Sequence, residues 1–159
     1  MRKPRIYLDT SAISFVIADD SPDFQGVTID FFENYASRYD LFVSDMVLLE
    51  IENHPDPVAR LRLKSVVSEN QIATLPRDQD FEVRQLAFRY VEKGVVPPNK
   101  MEDALHAAYA TVHEMDFLLS WNFKHLANIR KEARFLAVNV EEGYLHSLRL
   151  ASPMEVLDE

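Results

Sequence analysis

The chain has 159 residues, a length that suits one compact domain and leaves no room for two full enzyme domains. Hydrophobic residues make up 47% and charged residues 27%, so a sizeable core is available and the composition is not that of a disordered tail. Seventeen Lys and Arg against 26 Asp and Glu leave a net charge of −9, which argues against nucleic-acid binding through overall charge and requires any such partner to be held by a local basic patch or by metal ions.

The N-terminal stretch meets Asp9 before any apolar core of signal-peptide length, and no later apolar run approaches ~18 residues, so a cytoplasmic protein with no membrane association is expected. Ile6-Tyr7-Leu8 reads as a buried strand halted by Asp9-Thr10-Ser11, and mostly helical sequence follows to about Arg38. Leu41-Phe42-Val43 is a second strand, after which Ser44-Asp45 caps a helix from Met46 to Glu52. Asp56-Pro57 starts another helix, to about Glu69. Gln71 to Leu75 is a third strand, and Asp78 to Lys93 a helix stopped by Gly94. Val95-Val96-Pro97-Pro98 is a rigid connector. Asn99 opens a helix to about His113, Phe117-Leu118-Leu119 is a fourth strand, helical sequence runs from Phe123 to about Glu142, and Leu148-Arg149-Leu150 is a candidate closing strand. Strands alternating with helices in this way predict an α/β domain with a parallel sheet covered on both faces. No repeat, low-complexity tract or linker divides it, so residues 1–159 read as one domain.

Several chemistries are excluded at once. The absence of cysteine removes disulfides, thiolate zinc sites, iron–sulfur clusters and cysteine nucleophiles. Gly26, Gly94 and Gly143 are too scattered for a glycine-rich phosphate loop. Ser11 and Ser120 lack a Gly-x-Ser-x-Gly setting, and His54, His106, His113, His125 and His146 lack metal-ligand spacing. His106 and His113 fall with Glu102 on one helical stripe, expected to face solvent.

Ligands of open parallel sheets bind at the carboxyl ends of the strands, which directs attention to Asp9. Taken singly, Asp9 is also a good cap for the next turn. Asn99 and Glu102 have the form of a capping box. Asp103 falls roughly 60–100° outside the polar stripe and lies beside Ala107 and Ala110, an expensive place for a carboxylate unless something positive meets it. Glu50 and Glu52 are both flanked by apolar residues, and periodicity does not separate them. Asp116-Phe-Leu-Leu-Ser120-Trp-Asn122 is a buried strand ending in a hydroxyl and an amide, with Asp116 at its start rather than its end.

Tyr7-Leu8-Asp9-Thr10-Ser11, Glu50 after the second strand, Met101-Glu-Asp103-Ala-Leu-His-Ala-Ala and Leu118-Leu-Ser120-Trp-Asn122, in that order, resemble the PIN domain, the fold of VapC-type toxin ribonucleases. The resemblance spans nearly the whole chain. It implies a three-layer α/β/α sandwich with a central, mainly parallel sheet of four or five strands, whose acidic residues meet at one sheet edge, bind Mg²⁺ or Mn²⁺ and cleave phosphodiester bonds in RNA. It assigns Asp9, Glu50 and Asp103 as metal-binding and catalytic acids, with Thr10 or Ser11 orienting the first. It further implies a homodimer and an antitoxin that blocks the site. Asn122 stands where the family often carries a fourth aspartate, which weakens the case for a second metal and leaves open a neutral oxygen that holds a metal-bound water.

Three converging carboxylates repel one another, and burial without a counter-ion raises their pKa values. A hard divalent cation resolves the conflict, and an all-oxygen ligand set suits Mg²⁺ or Mn²⁺ better than zinc. Lys100 and Lys124, close in sequence to Asp103 and Asn122, are candidates for substrate phosphate, with Arg130, Lys131 and Arg134 beyond them; Arg60, Arg62 and Lys64 read as a solvated helix face. Two other readings stay open. One is a binding or regulatory module with a vestigial acidic pocket, favoured by Asn122. The other is phosphotransfer on Asp9, which lacks the second aspartate two residues on and a lysine after the late strand.

Overall fold

In the computed structural model, which describes residues 2–157, β1 (Arg5–Leu8) is the middle strand of a five-stranded sheet. Its Ile6, Tyr7 and Leu8 are wholly buried, which accounts for the unbroken apolar run: a strand covered on both faces has no solvent side. β2 (Asp40–Val43), β3 (Ala73–Thr74), β4 (Phe117–Leu119) and β5 (Arg149–Ala151) complete the sheet in the order β3-β2-β1-β4-β5, every pair parallel.

Among the described residues, eight α-helices join and follow the strands: α1 (Thr10–Ser14), α2 (Pro22–Asp30), α3 (Asp45–Glu52), α4 (Pro57–Glu69), α5 (Asp80–Glu92), α6 (Met101–Val112), α7 (Ile129–Glu141) and α8 (Pro153–Leu157). α5 packs on α6 and α7, whereas α1, α3 and α4 pack on one another and α2 meets α8. Right-handed crossovers explain the division, because chain growth from β1 to β3 runs one way across the sheet and growth from β4 to β5 the other. The result is the expected three-layer α/β/α sandwich. Its two directions part between β1 and β4, and that crevice is where such sheets bind ligands.

Four expectations change on contact with the structure. The helical stretch to Arg38 is broken: α1 runs into a 3₁₀ turn at Phe15–Ile17, and Pro22, suited only to a first helical turn, starts α2 afresh. A π-helical turn at Phe31–Tyr35 and a 3₁₀ turn at Ala36–Arg38 follow. The Asn99–Glu102 capping box does not form, because Pro98–Lys100 is a 3₁₀ turn that absorbs Asn99 and leaves Lys100 as an N-cap without a side-chain bond. The helix expected from Phe123 begins only at Ile129, since the Asn122 carbonyl draws in the amides of Leu126 and Ala127 and Asn128 caps the true start by accepting from Lys131 N at 2.8 Å. His106 and His113 are buried rather than solvated.

Candidate active site

Register brings the first two residues together. Leu8 pairs with Leu119, so Asp9 and Ser120 leave the sheet side by side on its two central strands. Asp9 is only 4% exposed and is met by three donors. As N-cap of α1, its Oδ1 accepts from Ala12 N at 2.9 Å and from the Ser11 hydroxyl at 2.7 Å, while its Oδ2 accepts from the Ser120 hydroxyl at 2.5 Å. Both serines are held in turn by the β4 exit: Ser11 Oγ accepts from Trp121 N at 2.9 Å and Ser120 Oγ from Asn122 N at 2.9 Å. Burial still raises the Asp9 pKa, and these hydrogen bonds work against the rise.

The loop after β4 then reaches α6. Asn122 Nδ2 donates to Asp103 Oδ1 at 3.1 Å, and Asn122 Oδ1 accepts from His125 N at 3.0 Å. The amide can sit only this way round, because the reverse would set an oxygen against a carboxylate and an NH₂ against an N–H. The oxygen expected to hold a metal-bound water is therefore already engaged. Asp103 is left with a buried Oδ2 that has no hydrogen-bond partner, and its pKa is raised by burial and by Asp9, opposed by His106, His125 and Lys100.

Glu50 comes from α3, half-buried on the β2 side. Burial raises its pKa, and the charges of Glu102, Asp9 and Asp103 add to the rise. The Thr10 hydroxyl faces Glu50 and tempers that effect, although Thr10 Oγ1 has no partner at normal hydrogen-bond geometry. Glu102, freed from the absent capping box, is exposed on this same acidic edge.

Two histidines with no motif to announce them back the site. His106 Nδ1 shares a 2.8 Å hydrogen bond with the buried Tyr7 hydroxyl, which also meets Ser44 Oγ at 2.8 Å; burial pushes the His106 pKa down to about 4. His125 is nearly buried, its Nδ1 has no partner, and it feels Asp103 on one side and Lys131, Lys124 and Lys100 on the other. Lys100 and Lys124 themselves are exposed at the rim. Asp116 stays outside the site, accepting from Arg5 N at 2.8 Å and facing His146 at 3.0 Å.

The structure thus links Asp9, Ser11, Ser120, Asn122 and Asp103 in one hydrogen-bonded chain and brings Glu50 within electrostatic reach of both aspartates. Among the described residues, no three His, Asp or Glu side chains stand close enough to close around a metal ion as they are. The donor chemistry nonetheless fits a hard divalent cation: all-oxygen ligands, three acids with raised pKa values, and an orphaned carboxylate oxygen on Asp103.

No family model matches the sequence, and no curated protein matches it at a significant level. Among solved structures, a chain in the crystal structure of VapBC2 from Rickettsia felis bound to a DNA fragment from their promoter superposes with a TM-score of 0.56 at 21% identity, over 76% of this chain and 89% of that one. Among the described residues, no helix is long and apolar enough to cross a membrane. With its β3-β2-β1-β4-β5 parallel sheet between helical layers, the chain has a PIN-like fold, shared with the matched chain of that structure.

Proposed function

We propose that this chain is a Mg²⁺- or Mn²⁺-dependent endoribonuclease acting in the cytoplasm as the toxin of a toxin–antitoxin pair. The observation that carries the reading is the placement of Asp9, Glu50 and Asp103 within electrostatic reach of one another near the strand-order switch, each with its carboxyl pKa raised and one oxygen of Asp103 buried without a partner. Such an arrangement is costly for a bare protein and useful to one that takes up a cation. Asp9, Glu50 and Asp103 would hold the ion. When bound, it would neutralise the acids, offset the repulsion of phosphate by a −9 chain, and supply Lewis-acid activation of water and leaving oxygen.

The protein's own share is positioning. Ser11, Ser120 and the Ala12 amide fix the Asp9 carboxylate and leave a lone pair free on Oδ2, whereas Oδ1 already accepts two bonds. Asn122 ties Asp103 to the β4 exit and so sets the distance between acids of different elements. Lys100 offers a cation to phosphate at the rim. An antitoxin that covers the acidic edge and a homodimer complete the proposal.

Single-stranded and structured RNA should be cleaved with Mg²⁺ or Mn²⁺ and not with EDTA. Asp9→Asn and Asp103→Asn should each lower the rate by roughly a hundredfold or more while keeping the fold. Metal-independent cleavage, or intact RNA after any inhibitor has been stripped away, overturns the reading. The second reading, a binding module without catalysis, is favoured by the open spacing of the acids and the committed Asn122 amide. Calorimetry separates the two, since a binding module takes up no Mn²⁺ at millimolar concentration.

A further inference from the structure

Beside the acidic crevice lies a surface of opposite sign. Lys124 follows Asn122, and Arg130, Lys131 and Arg134 rise from the first turns of α7; together with Phe123 and Ile129 they line an open groove of about 470 Å³. Among the described residues, neither these four cations nor Lys100 takes part in a salt bridge, although the chain carries nine more acids than bases. Among the described residues, six of the other twelve Lys and Arg are matched, as with Arg77 to Asp45 and Asp80, Arg89 to Glu92 and Glu142, and Arg149 to Glu132, so the cluster is notable for gathering five unmatched cations on one face. Lys131 and Arg134 are anchored on the carbonyls of Val95 and Gly94, which keeps the cluster together against its own repulsion. Among the described residues, the exposed Lys124 and Arg130 side chains make no hydrogen bond or ion pair with the protein and remain open to a ligand.

The groove adjoins the acids. His125, nearly buried and with an unpartnered Nδ1, feels Asp103 as well as Lys131, Lys124 and Lys100. Phe123 is 43% exposed and is braced by Phe24 and Trp121, each with its ring centroid 5.9 Å away. A fixed, half-exposed ring among unpaired cations suits a chain that carries both phosphates and free aromatic faces. A duplex keeps its bases stacked inside, whereas a single strand can lay one on Phe123.

We propose that this groove is a track for single-stranded RNA, with Lys124 and Arg130 on successive phosphates and Phe123 under a base, leading the backbone past Lys100 to the acidic crevice. The proposal rests on the nuclease reading for its choice of RNA, and its test is separable from that reading. Fluorescence anisotropy with a labelled single-stranded RNA 12-mer in EDTA measures binding without cleavage. The double variant Lys124→Glu/Arg130→Glu should bind at least about tenfold more weakly and lose roughly 1.4 from the slope of log affinity against log salt, as two lost phosphate contacts require. Phe123→Ala should weaken single-strand binding about tenfold and leave a fully paired duplex unaffected. RNA affinity indifferent to these substitutions, or polyglutamate competing as well as RNA of equal charge, overturns the track. Wild-type hydrolysis of bis(p-nitrophenyl) phosphate with Mn²⁺ reports on the acidic crevice by itself, so its failure counts against the nuclease and leaves an RNA-binding track standing.

Discussion

At the scale of single residues, the candidate site is organised by hydroxyls rather than by the acids themselves. Ser120 gives its proton to Asp9 and receives one from Asn122 N, so Ser120→Ala strips a donor from a buried carboxylate and an acceptor from a buried amide at once. A loss of about 1–3 kcal/mol in urea denaturation is expected, with weaker Mn²⁺ binding by calorimetry. His106 gives the clearest pH signature. Burial holds it neutral with a pKa near 4, against about 6.5 when unfolded, while the nearby Asp103 and Glu102 charges pull the other way. The unfolded chain therefore binds more protons between those values, and His106 takes stability away as pH falls through that window, by up to about 3 kcal/mol. His106→Gln should flatten the fall between pH 6.5 and 4.5 relative to wild type, as followed by denaturant melts at each pH. Asp9 and Ser120 were legible in the sequence because each follows the end of an apolar strand, whereas the stripe that sets Asp103 apart is not a solvent face, since His106 and His113 are buried. The burial of His106 was not legible, since its partner Tyr7 lies 99 positions away and only the folded sheet joins them.

At the scale of elements, every strand was legible because apolar runs bounded by polar residues leave few alternatives, although β3 shrinks to Ala73–Thr74 at the sheet edge. Helix starts were less so. Local signals at Asn99 and Phe123 suggest helix, but the proline pair at 97–98 and the turn wound on Asn122 impose other geometry, and neither yields a periodicity of its own. His125 sits in that turn, which is why its place beside Asp103 had no sequence signature. Gly94, by contrast, was read correctly as a stop. It ends α5 with φ +74°, and an added Cβ would meet only Arg134 Nη2 at an ordinary 3.7 Å. The cost of Gly94→Ala is thus the left-handed backbone alone, about 1 kcal/mol by thermal unfolding, with the Arg134 anchor kept.

At the scale of the molecule, the −9 charge and the three raised acids make one prediction together. A carboxyl whose folded pKa lies above its unfolded value binds more protons in the folded state between the two. These groups therefore make the metal-free protein less stable as pH rises through that interval, and remain a fixed cost above it. A divalent cation removes the cost where the acids are ionised. Mn²⁺ at about a hundred times its Kd should raise Tm by roughly 5–10 °C at pH 7.5 and by less at pH 5, with Asp103→Asn losing most of the gain. Scanning fluorimetry across pH and metal concentration checks this.

The Asn122 side chain has one more consequence. Because the His125 amide proton is held by that side chain and not by a neighbouring backbone carbonyl, its exchange with deuterated solvent becomes a gauge of the strap between the β4 exit and α6. If Asp103 swings toward an incoming ion and lets go of Asn122 Nδ2, the loosened strap should speed the disappearance of that one resonance, while the interior amides of the central strands keep their slow clocks.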